Sequence, residues 1–236
     1  MSRAKRKTRN RNNLIDYNNY VNKKQEVNIL PRNVNQETYL ATLQNQRKDI
    51  VFAIGPAGTG KTLIGVIMAI RAFKEKQVDK IVITRPAVSV DEKHGYLPGN
   101  LEQKMEPWTR PIFDVFAEYF FKHEIKGMIE EDVIEIAPLA YMRGRTFKNA
   151  FIIADEMQNA TPSQIKMLLT RIGKGSRMVV TGDLQQADRM TSNGLLDFTQ
   201  KVKSKNLDRL AVCNFEKGDV ERHEAVKEVL DIYGED

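Results

Sequence analysis

Several features that would place a chain outside the reducing interior of a cell are missing from this sequence. Its single cysteine, Cys213, cannot form an internal disulfide, which is typical of cytosolic proteins. No apolar run approaches the roughly 20 residues that are needed to cross a membrane. The basic N-terminus is followed by no apolar segment, so it lacks the pattern of a secretory signal. These absences argue against a secreted or membrane protein, and we predict a cytoplasmic one.

The composition is otherwise that of a globular protein. Of the 236 residues, 41% are hydrophobic and 29% are charged, and this length suits one large α/β domain better than two. Residues 1–28 are rich in Asn, Lys and Arg and have no periodicity that could bury a face. We therefore expect a disordered basic tail over residues 1–28 and a single domain over residues 29–236.

The basic charge is concentrated at the N-terminus. Six basic residues and no acidic one occupy positions 1–11, which accounts for the whole net charge of +6. Such a tail can bind nucleic-acid phosphates in a salt-dependent way, or it can be a solubilising terminus without a ligand. The sequence leaves both interpretations open.

A phosphate-binding loop is the clearest motif of the chain. Residues 55–62 read GPAGTGKT, between the apolar run of residues 50–54 and a stretch with apolar residues at helical spacing. This pattern between a strand and a helix predicts a loop whose backbone N–H groups surround phosphates at the helix N-terminus. Lys61 would reach the β and γ phosphates, and Thr62 would hold Mg²⁺. The predicted nucleotide-binding residues of the loop are Gly55, Pro56, Ala57, Gly58, Thr59, Gly60, Lys61 and Thr62.

Two adjacent carboxylates follow a later apolar strand, predicted over residues 151–154. Given the loop, Asp155 is predicted to hold Mg²⁺, usually through water, and Glu156 to orient and deprotonate the attacking water. Gln186 follows a strand predicted over residues 178–181, and its amide would contact the γ phosphate and report its cleavage. This set favours hydrolysis over transfer of phosphate to another acceptor.

Other side chains have both a functional and a structural interpretation. Gln36, upstream of the loop, would bind a donor and an acceptor edge of adenine, or it is a surface helix residue. Arg85 follows a strand predicted over residues 79–84 and is either a phosphate contact or an exposed loop arginine. Arg143 and Arg145 are expected near the ligand edge of the sheet, where they would contact phosphate or reach a neighbouring subunit's ATP. A plain surface turn is the alternative for this pair.

An irregular segment is predicted over residues 89–110, which contain several Gly and Pro residues. Aromatic and apolar residues over 112–120 recur at helical spacing and predict a core-facing helix rather than a base-stacking surface. Trp108 lies outside that stripe and is the better candidate for stacking on a nucleic-acid base.

The last helix is predicted over residues 220–233, with Arg222 and His223 in its first turn. Cations there oppose the helix dipole, so their placement indicates another reason, such as an anionic ligand. For His223 an ordinary core or surface position is favoured over a contact with such a ligand.

Together these motifs resemble those of one family, the PhoH-like ATPases, whose core is similar to the first RecA-like domain of superfamily 1 helicases. The resemblance covers about residues 33–234. It rests on GPAGTGKT at 55–62, TRPAV at 84–88, GYLPGNLEQK at 95–104, PWTRP at 107–111, RGRTF at 143–147, FIIADEMQNA at 151–160, TGDLQQ at 181–186 and DVERH at 219–223. Two positions depart from the family pattern, Met157 where alanine is usual and Glu221 where valine is usual, and neither removes a catalytic atom.

The resemblance implies a three-layer P-loop NTPase fold of the α/β class, with a RecA-like, mainly parallel sheet and helices on both faces. It also implies hydrolysis of ATP with Mg²⁺, association with RNA or single-stranded DNA, and a tendency to form rings such as hexamers. By resemblance the roles given above pass to Lys61, Thr62, Asp155, Glu156 and Gln186, and Arg222 becomes a γ-phosphate arginine.

Two functional hypotheses follow. In the first, the chain is a nucleic-acid-stimulated ATPase that acts as a helicase or translocase when it forms a homo-oligomer. Oligomerisation is expected because a monomeric helicase of this type needs two RecA-like lobes and this chain has room for one. In the second, it is an ATP-dependent switch or adaptor without motor activity, whose nucleotide state sets its binding to a protein partner.

Overall fold

The computed structural model describes residues 27–86, 101–186, 193–203, 205–222 and 224–233. Most of the basic tail, residues 87–100 and His223 lie outside these ranges, and what the sequence predicts for them stays a prediction. Within the described part, no helix combines the length and the apolar character that a membrane crossing requires.

A six-stranded sheet forms the middle layer, and every neighbouring pair of its strands runs parallel. In chain order the strands are β1 (Ile50–Ile54), β2 (Lys80–Thr84), β3 (Ile134–Ile136), β4 (Ala150–Ala154), β5 (Arg177–Gly182) and β6 (Leu210–Asn214). Their order across the sheet is β3-β2-β4-β5-β1-β6. Because the strands are parallel, the loops after β1, β4 and β5 leave the same edge of the sheet side by side.

Seven α-helices in the described residues surround the sheet. They are α1 (Val34–Gln44), α2 (Lys61–Lys74), α3 (Leu101–Tyr119), α4 (Lys122–Glu130), α5 (Pro162–Leu169), α6 (Gly194–Val202) and α7 (Glu224–Tyr233). Short 3₁₀ turns occupy Leu139–Met142, Met157–Asn159, Leu184–Gln186 and Lys217–Asp219. The helix predicted to follow the phosphate-binding loop is α2, and α5 begins with Thr161 as its N-cap and Pro162 at its first position.

The two faces of the sheet are buried under different helices. Along β1 the residues alternate, since Val51 belongs to the apolar cluster shared with α1 to α4 and Phe52 to the cluster shared with α5 and α6. Ten of the 14 residues of α2 are buried, so the helix that carries the phosphate-binding loop is anchored in the first cluster. The predicted three-layer α/β fold with helices on both faces of a parallel sheet is confirmed.

The irregular segment predicted over residues 89–110 is wrong from Leu101 onward, where α3 begins. This helix continues through Pro107 and Pro111, although each proline lacks an N–H and removes one helical hydrogen bond. Its C-terminal half buries Ile112 and Phe116, so tertiary packing outweighs the local preference of the prolines. Trp108 is therefore a half-buried helix residue and not part of a loop.

The last helix begins at Glu224 rather than at residue 220, so Arg222 is not in its first turn. A 3₁₀ turn over Lys217–Asp219 comes first, and the backbone N–H of Glu221 then donates to Gly58 O at 3.0 Å. Val220 has an extended backbone, with φ −71° and ψ 115°, so it does not belong to the helix. Arg222 lies in the connection between β6 and α7.

Candidate nucleotide-binding site

The loop of residues 55–62 joins β1 to α2 at the C-terminal edge of the sheet, where β1 lies between β5 and β6. Gly60 ends it in the left-handed conformation, with φ +81°, and is the N-cap of α2. Gly55 has φ +152°, and a Cβ atom placed on it would lie only 2.4 Å from Phe215 O. The loop can therefore pass close to the β6–α7 connection only because this position has no side chain.

Lys61 points back over its own loop. Its Nζ donates to Pro56 O at 2.5 Å and to Thr59 Oγ1 at 3.2 Å, and only 7% of the residue is exposed. Burial lowers the pKa of Lys61, while the negative charges of Asp183, Glu156 and Asp155 act against that shift. An ammonium group with neutral partners and nearby carboxylates is well placed to take a phosphate oxygen as its acceptor.

Asp155 and Thr62 are brought into direct contact. Thr62 Oγ1 donates to Asp155 Oδ1 at 2.7 Å, and Thr181 Oγ1 donates to the same oxygen at 2.5 Å. Oxygen ligands of this kind suit Mg²⁺, which takes one or two protein oxygens and completes its shell with water and phosphate. The hydroxyl and carboxylate predicted to hold Mg²⁺ therefore fit that ion.

Glu156 follows β4 in a conformation that is uncommon for a residue with a side chain. Its φ and ψ are 54° and 38°, in the left-handed region, which costs about 1–2 kcal/mol per residue. Gln158 Nε2 donates to Glu156 Oε2 at 2.5 Å, and Arg85 Nη2 lies 4.0 Å from Glu156 Oε1. The left-handed turn sends the carboxylate towards the phosphate-binding loop, where it lines the cavity described next.

A cavity of about 180 Å³ lies between the loop and the ends of β4 and β5. Its lining residues are Ala57, Gly58, Gly60, Lys61, Thr62, Leu63, Asp155, Glu156, Thr181, Gly182, Asp183 and Gln186. Pockets that enclose a whole drug-sized ligand have about 300–1,000 Å³. The cavity is therefore sized for the phosphates of a nucleotide, and the predicted Gln186 is on its wall.

Two further polar side chains join the loop to the ends of β4 and β5, and sequence reasoning assigned neither of them this role. The Asp183 carboxylate accepts from the backbone N–H groups of Ala57 at 3.2 Å and Gln185 at 2.9 Å. Gln158, which contacts Glu156 through its Nε2, accepts from Asp183 N through its Oε1 at 3.1 Å. The sequence could have indicated the role of Asp183, because an acidic residue directly after β5 must lie beside the loop that follows the neighbouring strand β1.

Gln36 is buried against the loop rather than exposed on α1. It is 6% exposed, its Nε2 donates to Thr59 O at 3.2 Å, and its Oε1 accepts from Arg32 N at 2.9 Å. The surface interpretation is wrong, and the predicted adenine contact stays a prediction. Arg222 also lies on the loop, since its Nε would be 3.6 Å from a Cβ atom on Gly58.

The other predicted arginines are placed differently. Arg85, whose Nη1 donates to Trp108 O at 3.3 Å, lies in the site beside Glu156. Arg145 pairs with Glu135 of the outermost strand β3, and the same carboxylate accepts from Lys80 Nζ at 2.6 Å.

Lys80 is the first residue of β2 and so lies at the edge of the sheet opposite the phosphate-binding loop. Arg145 shares the Glu135 carboxylate with Lys80. The expectation that Arg145 lies near the ligand edge is therefore wrong. The salt bridge and a stack on the Phe147 ring, at 4.6 Å from the ring centroid, hold Arg145 beside the sheet. Arg143 is exposed, and among the described residues Arg222 and Arg85 lie beside the phosphate-binding elements.

The sequence matches one protein family over almost the whole described domain. A family model described as PhoH-like protein matches residues 28–234. The chain belongs to the PhoH-like protein family. The fold is accordingly that of a P-loop protein, with the loop of residues 55–62 as its phosphate-binding element.

Three curated proteins of this family are similar to the chain. A PhoH-like protein of Synechocystis sp. (strain ATCC 27184 / PCC 6803 / Kazusa) is 44% identical over 200 residues, which are 84% of this chain and 60% of that protein. A PhoH-like protein of Bacillus subtilis (strain 168) is 42% identical over 207 residues, 87% of this chain and 64% of that protein. Protein PhoH of Escherichia coli (strain K12) is 39% identical over 215 residues, 87% of this chain and 58% of that protein.

The chain thus spans about three-fifths of the length of these relatives. Residues 28–234, which match the family model, contain every predicted site residue from Gln36 to Arg222.

Proposed function

We propose that this chain binds ATP with Mg²⁺ and hydrolyses it, that RNA or single-stranded DNA stimulates its turnover, and that its homo-oligomer acts as a helicase or translocase. The observation that carries the ATPase part is the contact of Thr62 Oγ1 with Asp155 Oδ1 at 2.7 Å, with Glu156 beside it on the cavity wall. A hydroxyl, a metal-binding carboxylate and a second carboxylate are then assembled around a phosphate-sized space.

Each side chain has a task in this proposal. The N–H groups of the loop and Lys61 hold the phosphates, and Thr62 with Asp155 holds Mg²⁺, which when bound neutralises phosphate charge. Glu156 orients a water molecule at the γ phosphate and takes its proton. Gln158 holds Glu156 in place by donating from its Nε2 to Glu156 Oε2.

The γ phosphate would be contacted from two further sides. Gln186 lines the cavity after β5 and would report whether the phosphate is present. Arg222, which lies against Gly58, would stabilise the charge that develops during hydrolysis.

Water is the favoured acceptor because Glu156 directly follows the metal-binding Asp155 and lines the same phosphate-sized cavity. The test is the substitution Glu156→Gln, measured as phosphate release and as ATP affinity. We expect turnover to fall by at least about 100-fold while ATP stays bound, since the amide keeps the shape but cannot take a proton. The matched control is Glu130→Gln, whose side chain is 66% exposed on α4. Full hydrolysis by the Glu156 variant would contradict the assigned base.

The oligomer is proposed because one RecA-like sheet supplies half of a helicase active site. Arg143 is exposed and is our candidate for the arginine that enters a neighbour's site, whereas Arg145 is engaged by Glu135. Mixing Arg143→Ala subunits with Lys61→Ala subunits should restore hydrolysis that neither variant has alone, because some mixed interfaces are intact. Sedimentation as a monomer at micromolar concentration with ATP and nucleic acid would contradict the ring.

Nucleic-acid stimulation is supported by the basic residues at positions 1–11 and by the resemblance of the motifs to helicases. It is tested by ATPase rates with RNA, with single-stranded DNA and without either, at two salt concentrations. We expect a rise that weakens with salt, as phosphate contacts do. A rate that neither nucleic acid changes would favour the alternative, an ATP-dependent switch or adaptor without motor activity.

A further inference from the structure

The connection between β6 and α7 lies across the phosphate-binding loop. At its start, Phe215 N donates to Ile54 O at 2.7 Å, and further on Glu221 N donates to Gly58 O at 3.0 Å. Arg222, the next residue, has its guanidinium beside Gly58. The position of this connection therefore sets both the backbone of the loop and the place of the arginine.

Two consecutive peptide groups of the loop are held from outside. Glu221 N binds Gly58 O at 3.0 Å, and Gln36 Nε2 binds Thr59 O at 3.2 Å. In a trans peptide the C=O and the following N–H point in opposite directions, and the described residues contain no cis peptide. The N–H groups of Thr59 and Gly60 are therefore turned away from these two partners, to the side where phosphates would bind.

Asp219 fastens the connection to the N-terminus of α1. It is 7% exposed, and its Oδ2 accepts from Asn35 Nδ2 and from Glu216 N, both at 2.7 Å. Its backbone oxygen accepts from Asn33 Nδ2 at 3.3 Å, and Asn33 is the N-cap of α1. A carboxylate at the positive end of a helix is stabilised there, which adds to the two hydrogen bonds.

We propose that Asp219 is a positioning residue for the nucleotide site. By holding the connection against α1, it keeps Glu221 N on Gly58 O and places Arg222 at the γ phosphate. The residue does not touch the nucleotide, and it acts through the arginine and the loop. This inference rests on the ATPase function proposed above.

The test is a double-mutant cycle of Asp219→Ala and Arg222→Ala, read as kcat for ATP hydrolysis. We expect Asp219→Ala alone to lower kcat by about 100-fold, since a displacement of about 1 Å can cost that much. In the Arg222→Ala background the same change should lower kcat by a much smaller factor, because only its effect through the loop is left and coupled residues are not additive. Equal factors in both backgrounds would overturn the inference, since a general loss of stability acts equally in both.

Two further variants serve as controls for this double-mutant cycle. Asn35→Ala removes one donor and leaves Asp219 bound to Glu216 N, so this variant should fold even if Asp219→Ala does not. Its loss of kcat should be smaller than that of Asp219→Ala and should also be non-additive with Arg222→Ala. The control Asp197→Ala removes a surface carboxylate that pairs with Lys201, and it should leave kcat unchanged.

A wild-type chain without ATPase activity would contradict the proposed function and not this inference. The cycle is then read as the ratio of dissociation constants for ADP and for a non-hydrolysable ATP analogue. Asp219→Ala should lose the preference for the analogue to the same extent as Arg222→Ala. A preference that Asp219→Ala leaves unchanged would overturn the inference.

Discussion

The substitution Gly55→Ala tests how closely the phosphate-binding loop and the β6–α7 connection are packed. At φ +152° a residue with a side chain is strained by about 1–3 kcal/mol. The new Cβ would also lie 2.4 Å from Phe215 O, so the connection must shift by about 1 Å to reach normal contact. Such a shift weakens the buried bond from Phe215 N to Ile54 O, whose loss costs about 1–3 kcal/mol. We expect a total loss of about 3–5 kcal/mol in the free energy of unfolding.

The assay is urea unfolding at equilibrium, with two glycines of the same chain as controls. Gly144→Ala has φ +77° and nothing within 4 Å of the new Cβ, so it measures backbone strain alone, about 1–2 kcal/mol. Gly218→Ala has neither strain nor a close neighbour and should stay within about 0.5 kcal/mol of the wild type. The reasoning is refuted if Gly55→Ala costs no more than Gly144→Ala.

Two other predictions concern charged groups. Thr181→Val removes a buried donor to Asp155 Oδ1 and should lower the free energy of unfolding, measured without nucleotide, by about 1.5–3 kcal/mol. The control Thr199→Val on α6 should change it little, and equal losses in urea unfolding would contradict the prediction. Burial raises the pKa of Glu135, but hydrogen bonds from Arg145 and Lys80 outweigh it and leave the pKa below the ordinary value of 4.5. The stability from these bonds is therefore present above pH 4.5 and is lost as the pH falls through the lowered pKa of Glu135 in the folded protein. Glu135→Gln should flatten the acid side of a plot of unfolding free energy against pH. An unchanged slope would count against the ion pair.

The strands and the phosphate-binding loop could be predicted because their signals are local. The apolar run before the loop and the glycines within it specify a strand, a turn and a helix start without help from distant residues. The carboxylates after β4 were found for the same reason, since a strand that ends in Asp155 and Glu156 can be recognised from neighbouring residues. Parallel strands then place these ends side by side.

The mistakes came from places where packing overrules local preference. Pro107 and Pro111 indicate a loop, yet α3 passes through both because its apolar face is buried against α2 and the sheet. Arg145 was expected at the ligand edge, but the salt bridge to Glu135 holds it beside β3. Glu135 lies ten positions before Arg145 in the chain, and no sequence pattern indicates that the two residues pair.

The sequence alone determined that the chain has a phosphate-binding loop, a parallel α/β architecture and a pair of carboxylates that suit hydrolysis, because period and motif act over a few residues. Only the tertiary structure decided which distant groups hold the loop in shape. Asp219 is 184 positions from Asn35 in the chain, and their side chains are 2.7 Å apart. Such a contact depends on how β6, α7 and α1 are packed, and packing is a property of the whole chain. The phosphate-binding loop could be recognised in the sequence, whereas the side chains that orient its N–H groups could not.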